Sequence, residues 1–167
     1  MYENLKSHSK IIVTGPQRAG TRIGAQIIAN DTDHKYIDER DIVVDDCLLL
    51  EQRLSQKNIV IQAPGMMNEI ERISKKYPEV LIVVMRRNVD DIIASQKRIN
   101  WSEASEKHEL KKYGKTEGII SKIKYDYLDS IKSNIKNLIE VEYHSLANHP
   151  LFIRKQDRKE FKWSQTK

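Results

Sequence analysis

The stretch GPQRAGTR, residues 15–22, combines residue types and a spacing suited to binding phosphate. Gly15 and Gly20 match the two glycines of G-x-x-x-x-G-K-[ST], a loop whose backbone N–H groups cradle phosphates. The lysine of that pattern is replaced by Thr21, and the cation stands earlier in the loop, at Arg18. A short apolar run precedes the stretch and a helical pattern follows it, so a helix N-terminus would face the anion. The stretch therefore predicts an anion-binding loop with a displaced cation.

A second stretch, RNVDDIIAS at residues 87–95, offers further contacts for phosphate. Arg87 follows the apolar run VLIVVM, and Ser95 stands eight residues later. An arginine presents a bidentate fork to phosphate oxygens. A serine two turns along the next helix lies on the same side and adds a hydroxyl donor. Asp90 and Asp91 fall in the first helical turn, where we interpret them as capping and charge-balancing residues.

Together the two stretches resemble the PAPS-dependent sulfotransferases, in which PAPS is 3′-phosphoadenosine 5′-phosphosulfate. GPQRAGTR is similar to their 5′-phosphosulfate loop, often written P-K-S-G-T-T, and closer still to the G-P-Q-K-T-G-T-T form of heparan N-sulfotransferase-like domains. The family's loop cation bridges the leaving phosphate of the donor, a role that the resemblance gives to Arg18. An arginine neutralises charge there but does not readily donate a proton. Arg87 and Ser95 have the family's spacing for gripping the 3′-phosphate.

The resemblance also implies a donor site and a catalytic base. PAPS would be held without a metal by residues from both stretches: Gly15, Gln17, Arg18, Ala19, Gly20, Thr21, Arg22, Arg87 and Ser95. Where cytosolic sulfotransferases have a catalytic histidine, this chain has Gln62 or Ala63. The N-sulfotransferase branch uses a glutamate after the first helix, which predicts Glu39 as the general base, with Asp38 second. The expected reaction is sulfuryl transfer to an unidentified hydroxyl or amine of a small molecule or carbohydrate, catalysed by Arg18 and Glu39.

Two other functions remain open. A small P-loop nucleotide or metabolite kinase would need a lysine at position 21 and a carboxylate at a strand end for magnesium. Position 21 is a threonine, and no predicted strand ends in aspartate. A non-catalytic nucleotide- or anion-binding P-loop protein would account for the missing histidine and for the arginine in place of the family's loop lysine.

Short β-branched runs alternate with helical patterns along the chain. The runs predict strands at residues 10–14, 58–62, 80–85 and 138–143, the last of them nearer an edge. Helices are predicted at residues 21–30, 45–56, 66–77, 89–98 and 119–135, and the polar residues 103–113 predict a surface helix or a lid-like excursion. The alternation predicts one domain over residues 1–167, a three-layer α/β/α fold with a mainly parallel sheet. The resemblance implies that this fold is P-loop NTPase-like, of the sulfotransferase-like type. Ligands of such sheets bind beyond the carboxyl ends of the strands, where both phosphate-binding stretches would meet.

The composition narrows the possible partners. A net charge of +5 suits an anionic ligand, and the basic segment at residues 154–167 carries no recognised nucleic-acid motif, so nucleic-acid binding is not expected. Apolar runs are only strand-sized and no signal-peptide pattern opens the chain, which predicts a cytoplasmic protein without membrane association. The single cysteine, Cys47, excludes an intrachain disulfide and a cysteine-rich metal site. The oligomeric state stays open.

Overall fold

A computed structural model of the chain describes residues 1–41, 47–99 and 118–156. These residues form one five-stranded sheet in the order β2-β3-β1-β4-β5, and every neighbouring pair of strands is parallel. The strands are β1 (Lys10–Thr14), β2 (Lys35–Ile37), β3 (Ile59–Gln62), β4 (Leu81–Arg86) and β5 (Leu138–Glu142). The predicted α/β class with a parallel sheet is confirmed.

Helices connect the strands, as a parallel sheet requires. They are α1 (Thr21–Thr32), α2 (Cys47–Leu54), α3 (Ile70–Lys76), α4 (Val89–Arg98), α5 (Ile119–Ile131) and α6 (Pro150–Gln156). Short 3-10 segments occupy Glu3–Ser7, Glu39–Asp41, Pro64–Glu69, Lys132–Asn134 and Tyr143–Asn148. Both stretches that the sequence predicts to bind phosphate thus run from a strand end into a helix.

The three central strands lie almost wholly in the core. Ile11, Ile12 and Val13 of β1 are fully buried between β3 and β4, whose apolar side chains are buried as well. The edge strand β5 alternates buried and exposed positions, which confirms its predicted place near an edge. A rigid, apolar centre therefore fixes the carboxyl ends of β1, β3 and β4 relative to one another.

Several element boundaries differ from prediction. Strand β2 was not predicted, because it has only three residues and pairs with one neighbour, β3. The helix predicted at 66–77 begins instead as the 3-10 segment Pro64–Glu69 and becomes α-helical at Ile70. Helix α5 ends at Ile131 rather than 135, because Ile135 reaches the core from an extended residue after a 3-10 turn. The predicted helix at 103–113 lies outside the described residues.

Candidate anion-binding site

The loop after β1, residues 15–20, has a backbone course that only certain residues tolerate. Gly15, Arg18 and Gly20 have φ angles of 146°, 70° and 94°. Positive φ is open to glycine but costs other L-residues free energy, so Arg18 is held in place by its surroundings. Its carbonyl oxygen accepts a hydrogen bond from Arg87 Nη1 at 3.1 Å. The loop therefore presents Arg18 in a defined position at the N-terminus of α1.

Gly20 is required for a second reason, the close approach of Tyr143. A Cβ atom at position 20 would lie 2.4 Å from Tyr143 Cδ2. Tyr143 directly follows β5, at the same edge of the sheet as the loop. The Tyr143 ring also packs against the Arg87 guanidinium, whose carbon is 4.1 Å from the ring centroid. The loop, Tyr143 and Arg87 thus form one packed unit.

Arg18 reaches from the loop to α4. Its Nε donates a hydrogen bond to Ser95 Oγ at 3.2 Å, and Ser95 is buried. Burial lowers the pKa of Arg18, and the positive charges of Arg98, Arg87 and Arg22 lower it further. These four residues are called here the arginine cluster, and the other three repel the positive charge of the half-buried Arg18. An anion bound among them would relieve that repulsion.

Arg87 keeps one buried donor unused. Its backbone N–H donates to the Tyr125 hydroxyl at 3.0 Å, and Nη1 bonds the carbonyl of Arg18. Its Nε is buried without a hydrogen-bond partner in the described part of the chain. A buried donor without an acceptor is unfavourable, and a phosphate oxygen would satisfy it. The neighbouring Arg86 instead forms ion pairs with Glu140 and Asp129.

A polar chain runs from the start of α1 toward β2. Gln62 Nε2 lies 3.5 Å from Thr21 Oγ1, and Gln62 Oε1 is 3.1 Å from the Tyr36 hydroxyl. Gln62 and Thr21 are both buried. Gln62 is the last residue of β3, at the carboxyl edge of the sheet. An amide orients a hydroxyl by hydrogen bonding but does not accept a proton at neutral pH.

Two carboxylates lie on the β2 side of the site. Asp38 follows β2 and lies 3.3 Å from Arg22 Nε, while Glu39 Oε1 is 3.7 Å from Arg22 Nη2. Burial would raise the pKa of Asp38, but the Arg40 N–H, the Arg22 charge and the Tyr36 hydroxyl outweigh it and lower the pKa. Asp38 is therefore a weak proton acceptor. Asp38 directly follows β2, which ends at Ile37, and the sequence did not predict that strand.

The structure thus brings together the residues of both stretches. Arg18 contacts both Ser95 and Arg87, and Thr21 and Arg22 begin the helix beside it. Gln17 and Ala19 belong to the same loop, in which Ala19 N–H donates to the Pro16 carbonyl. Sequence reasoning missed Tyr143 and Arg98 as parts of the site. For Arg98 the available signal was its place one helical turn after Ser95.

Among residues 1–41, 47–99 and 118–156, no group of three or more His, Cys, Asp or Glu side chains is arranged to hold a metal ion. The same residues contain no helix whose length and apolar character would let it cross a bilayer.

Comparison with known proteins identifies the fold and no family. No protein-family model matches the chain, and no curated protein is similar to it. Among solved structures, shikimate kinase from Acinetobacter baumannii, in complex with shikimate, superposes with a TM-score of 0.54 at 13% sequence identity. The alignment covers 96% of this chain and 100% of that enzyme. The similarity supports the predicted P-loop NTPase-like fold, whereas no comparison supports membership of the sulfotransferase family.

Proposed function

We propose that the chain binds a nucleotide donor through its phosphates and transfers a sulfuryl group from PAPS to a small-molecule hydroxyl or amine. The observation that carries the proposal is the contact of Arg18 with Ser95 and Arg87, which joins the two phosphate-binding stretches in one site. The fit of a donor with two anionic ends rests on the arginine cluster and on the unpaired Nε of Arg87.

Each residue of the site would have a role set by its position. PAPS, when bound, supplies the activated sulfuryl group. Loop N–H groups and Arg18 would stabilise negative charge on the departing phosphate oxygen, as preorganised donors do in group transfer. Arg87 and Ser95 would hold the other end of the donor and so align the reacting atoms. Glu39 would accept the acceptor's proton, because the lowered pKa of Asp38 makes Asp38 a poor base.

Isothermal titration calorimetry with adenosine 3′,5′-bisphosphate, without metal, tests the donor. We expect tight binding to the wild type and loss of at least tenfold in affinity in Arg87→Ala, since a charge-assisted contact to phosphate disappears. Arg86→Ala is the matched control, because Arg86 is ion-paired with Glu140 and Asp129, and it should bind as the wild type does. Binding of ATP–magnesium but not of the bisphosphate would refute the proposal.

The second candidate is a small P-loop kinase, and the structural comparison favours it over sulfuryl transfer. The neighbour is a kinase of the same fold that holds shikimate, so a small-molecule acceptor would suit this chain too. Asp38, at the end of β2, is a carboxylate that could approach magnesium, although Arg22 and Arg40 engage it here. Against it, Thr21 stands where a kinase loop has its lysine. Magnesium-dependent ATP binding that is lost in Asp38→Asn would establish this candidate instead.

A transfer assay separates catalysis from binding alone. Sulfate-labelled PAPS and a panel of hydroxyl and amine acceptors should give labelled product with the wild type. Glu39→Gln should lower the turnover number while leaving bisphosphate affinity unchanged, because the base acts only in the chemical step. Binding without transfer to any acceptor would favour the non-catalytic P-loop protein.

A further inference from the structure

The hydroxyl of Tyr36 faces two acceptors with a single proton. It lies 3.1 Å from Gln62 Oε1 and 3.0 Å from Asp38 Oδ2. A phenol has one proton to donate, so it bonds fully to only one of these oxygens at a time. Gln62 in turn reaches Thr21, and the four residues form the polar chain in the order Thr21, Gln62, Tyr36, Asp38. The polar chain therefore has two hydrogen-bonding arrangements.

One arrangement leaves the proton of Thr21 unused. Tyr36 donates to Gln62 Oε1, and Gln62 Nε2 donates to Thr21 Oγ1 at 3.5 Å. Within residues 1–41, 47–99 and 118–156, no acceptor is bonded to the proton of the Thr21 hydroxyl. Thr21 is the first residue of α1 and directly follows the loop after β1. An oxygen of an anion in that loop would supply the missing acceptor.

The other arrangement reverses the direction of the polar chain. Tyr36 donates to Asp38, and the amide of Gln62 turns over so that its NH2 group donates to the Tyr36 oxygen. The amide oxygen then accepts the Thr21 proton, which is no longer available to an anion. Gln62 and Thr21 are only 2% and 5% exposed, so bulk water does not replace these bonds.

Asp38 does not depend on the proton of Tyr36, because it has other donors. The backbone N–H and Nε of Arg40 each lie 3.1 Å from Asp38 Oδ1, and Arg22 Nε lies 3.3 Å from Oδ2. Among the described residues, by contrast, Tyr36 is the one donor to Gln62 Oε1. An anion that draws the Thr21 proton would thus favour the arrangement in which Tyr36 donates to Gln62.

We propose that Gln62 and Tyr36 are positioning residues, which direct the Thr21 hydroxyl to a phosphate oxygen bound in the loop after β1. Without the Tyr36 hydroxyl, the oxygen of Gln62 has no donor but Thr21 and turns the Thr21 proton away from the anion. The proposal rests on the proposed function, because it requires an anion in this loop. It does not depend on which donor molecule carries that anion.

Calorimetry with pyrophosphate, without metal, tests the proposal in a double-mutant cycle. We expect Thr21→Val, which keeps the shape of the side chain and removes its hydroxyl, to lower affinity about tenfold, since a hydrogen bond to a charged acceptor disappears. Tyr36→Phe should lower affinity about threefold in the wild type, and Thr21→Val should abolish this effect, because no proton remains to be directed. Any effect of Tyr36→Phe through Asp38 and Arg22 would persist in Thr21→Val, so the cycle removes it.

A second background and a matched control accompany the cycle. Gln62→Met removes the amide between the two hydroxyls, so Tyr36→Phe should have no effect on affinity in Gln62→Met either. Thr21→Ser keeps a hydroxyl and should restore the sensitivity to Tyr36→Phe. Tyr127→Phe makes the same chemical change at a half-buried tyrosine of α5 and should bind pyrophosphate as the wild type does.

The outcomes separate this inference from its premise. Equal losses from Tyr36→Phe in the wild type, Thr21→Val and Gln62→Met would overturn the positioning role and leave the anion site standing. Unchanged affinity in Thr21→Val would also overturn it, since the Thr21 hydroxyl would then not contact the anion. A wild type that does not bind pyrophosphate would remove the anion site itself, and the proposed function with it. Thermal unfolding of each variant without ligand checks that the fold is intact.

Discussion

At the scale of single residues, Arg18 combines three properties that together fix its position. It has a φ of 70°, it is partly buried, and its guanidinium is held by a serine from another helix. A left-handed arginine costs about 1–2 kcal/mol, so this conformation persists only because its neighbours impose it. The position of the cation is thus a property of the packed site, and substitutions beside the loop should affect ligand binding as strongly as substitutions of Arg18 itself.

Gly20→Ala tests this dependence. An alanine at position 20 would have to adopt a positive φ. Its Cβ would lie 2.4 Å from Tyr143 Cδ2, so Tyr143 and the stacked Arg87 must move. We expect a loss of about 2–3 kcal/mol in the free energy of unfolding, from strain and overpacking together, measured by urea denaturation. Affinity for adenosine 3′,5′-bisphosphate should fall as well.

Gly118→Ala is the matched control for Gly20→Ala. Gly118 also has a positive φ, 72°, and a Cβ there would lie 2.7 Å from Val89 Cγ1, but it precedes α5 rather than α1. This variant should lose comparable stability and keep its affinity for the nucleotide. If Gly20→Ala kept both properties of the wild type, the loop, Tyr143 and Arg87 would not act as one unit.

The loop residues could be predicted because their signal is local. Gly15, Arg18 and Gly20 stand within one short stretch whose spacing alone suggests a phosphate loop. Tyr143 had no such signal, since its contact with Gly20 depends on where β5 lies in the sheet. The same holds for the pairing of Arg22 with Asp38, which requires β2.

At the scale of elements, Asp31 joins three separate parts of the chain. Its carboxylate accepts hydrogen bonds from the Tyr2 N–H at 2.9 Å and from His149 Nε2 at 3.0 Å, and it lies 2.9 Å from the amino group of Met1. Its side chain is only 5% exposed. Burial would raise the pKa of Asp31, but these donors outweigh it and lower the pKa to about 2.

Acid should therefore weaken this junction. Because the pKa of Asp31 is lower in the folded chain than in the unfolded one, its contribution to stability is complete above about pH 4 and is lost as pH falls toward 2. Asp31→Asn should lose about 1–3 kcal/mol at pH 7, since buried donors lose a charged acceptor, and should depend less on pH between 5 and 2. Circular dichroism during urea denaturation at several pH values measures both effects.

Asp33→Asn serves as the control for Asp31. Asp33 has a left-handed backbone, φ 57°, which asparagine also adopts readily, so stability at pH 7 should stay within about 0.5 kcal/mol of the wild type. An Asp31→Asn variant with the pH profile of the wild type would exclude Asp31 as the source of the acid sensitivity.

The elements whose first and last residues could be predicted have sequence signals at both ends. Helix α4 begins and ends where expected, because Asn88 accepts a hydrogen bond from the Asp90 N–H at 2.7 Å and basic residues occupy the last turn. The helix predicted to begin at residue 66 does not begin there, because the 3-10 segment that starts at Pro64 occupies that position. Three-residue strands such as β2 leave too little periodicity in the sequence to detect.

At the scale of the whole molecule, positive charge gathers at the carboxyl edge of the sheet. The chain carries a net charge of +5, and the arginine cluster places four cations near the loop after β1, of which Arg22 is ion-paired with Asp38 and Glu39. Like charges held together destabilise the folded state, and an anion that binds only the folded state stabilises it. The melting temperature should therefore respond to the kind of anion present.

Pyrophosphate provides this test without assuming any donor. We expect the melting temperature of the wild type to rise with millimolar pyrophosphate more than with sodium chloride of equal ionic strength. A ligand at a hundred times its dissociation constant adds about 2.7 kcal/mol of stability, whereas chloride acts mainly by screening. Differential scanning fluorimetry measures the shift, and Arg87→Ala should reduce it while Arg86→Ala should not. Equal shifts with both salts would contradict a specific anion site.

The order of the strands also has a consequence for how the site first forms. β1 is central and hydrogen-bonds with β3 and β4, both of which lie later in the chain. The loop that follows β1 therefore has its neighbouring strands on both sides only after contacts between residues distant in sequence have formed. The formation of such contacts is slow in parallel sheets. A chain emerging from the ribosome would form the candidate anion-binding site only after β4 has been synthesised. A fragment ending before Leu81 would lack β4, the strand on one side of β1.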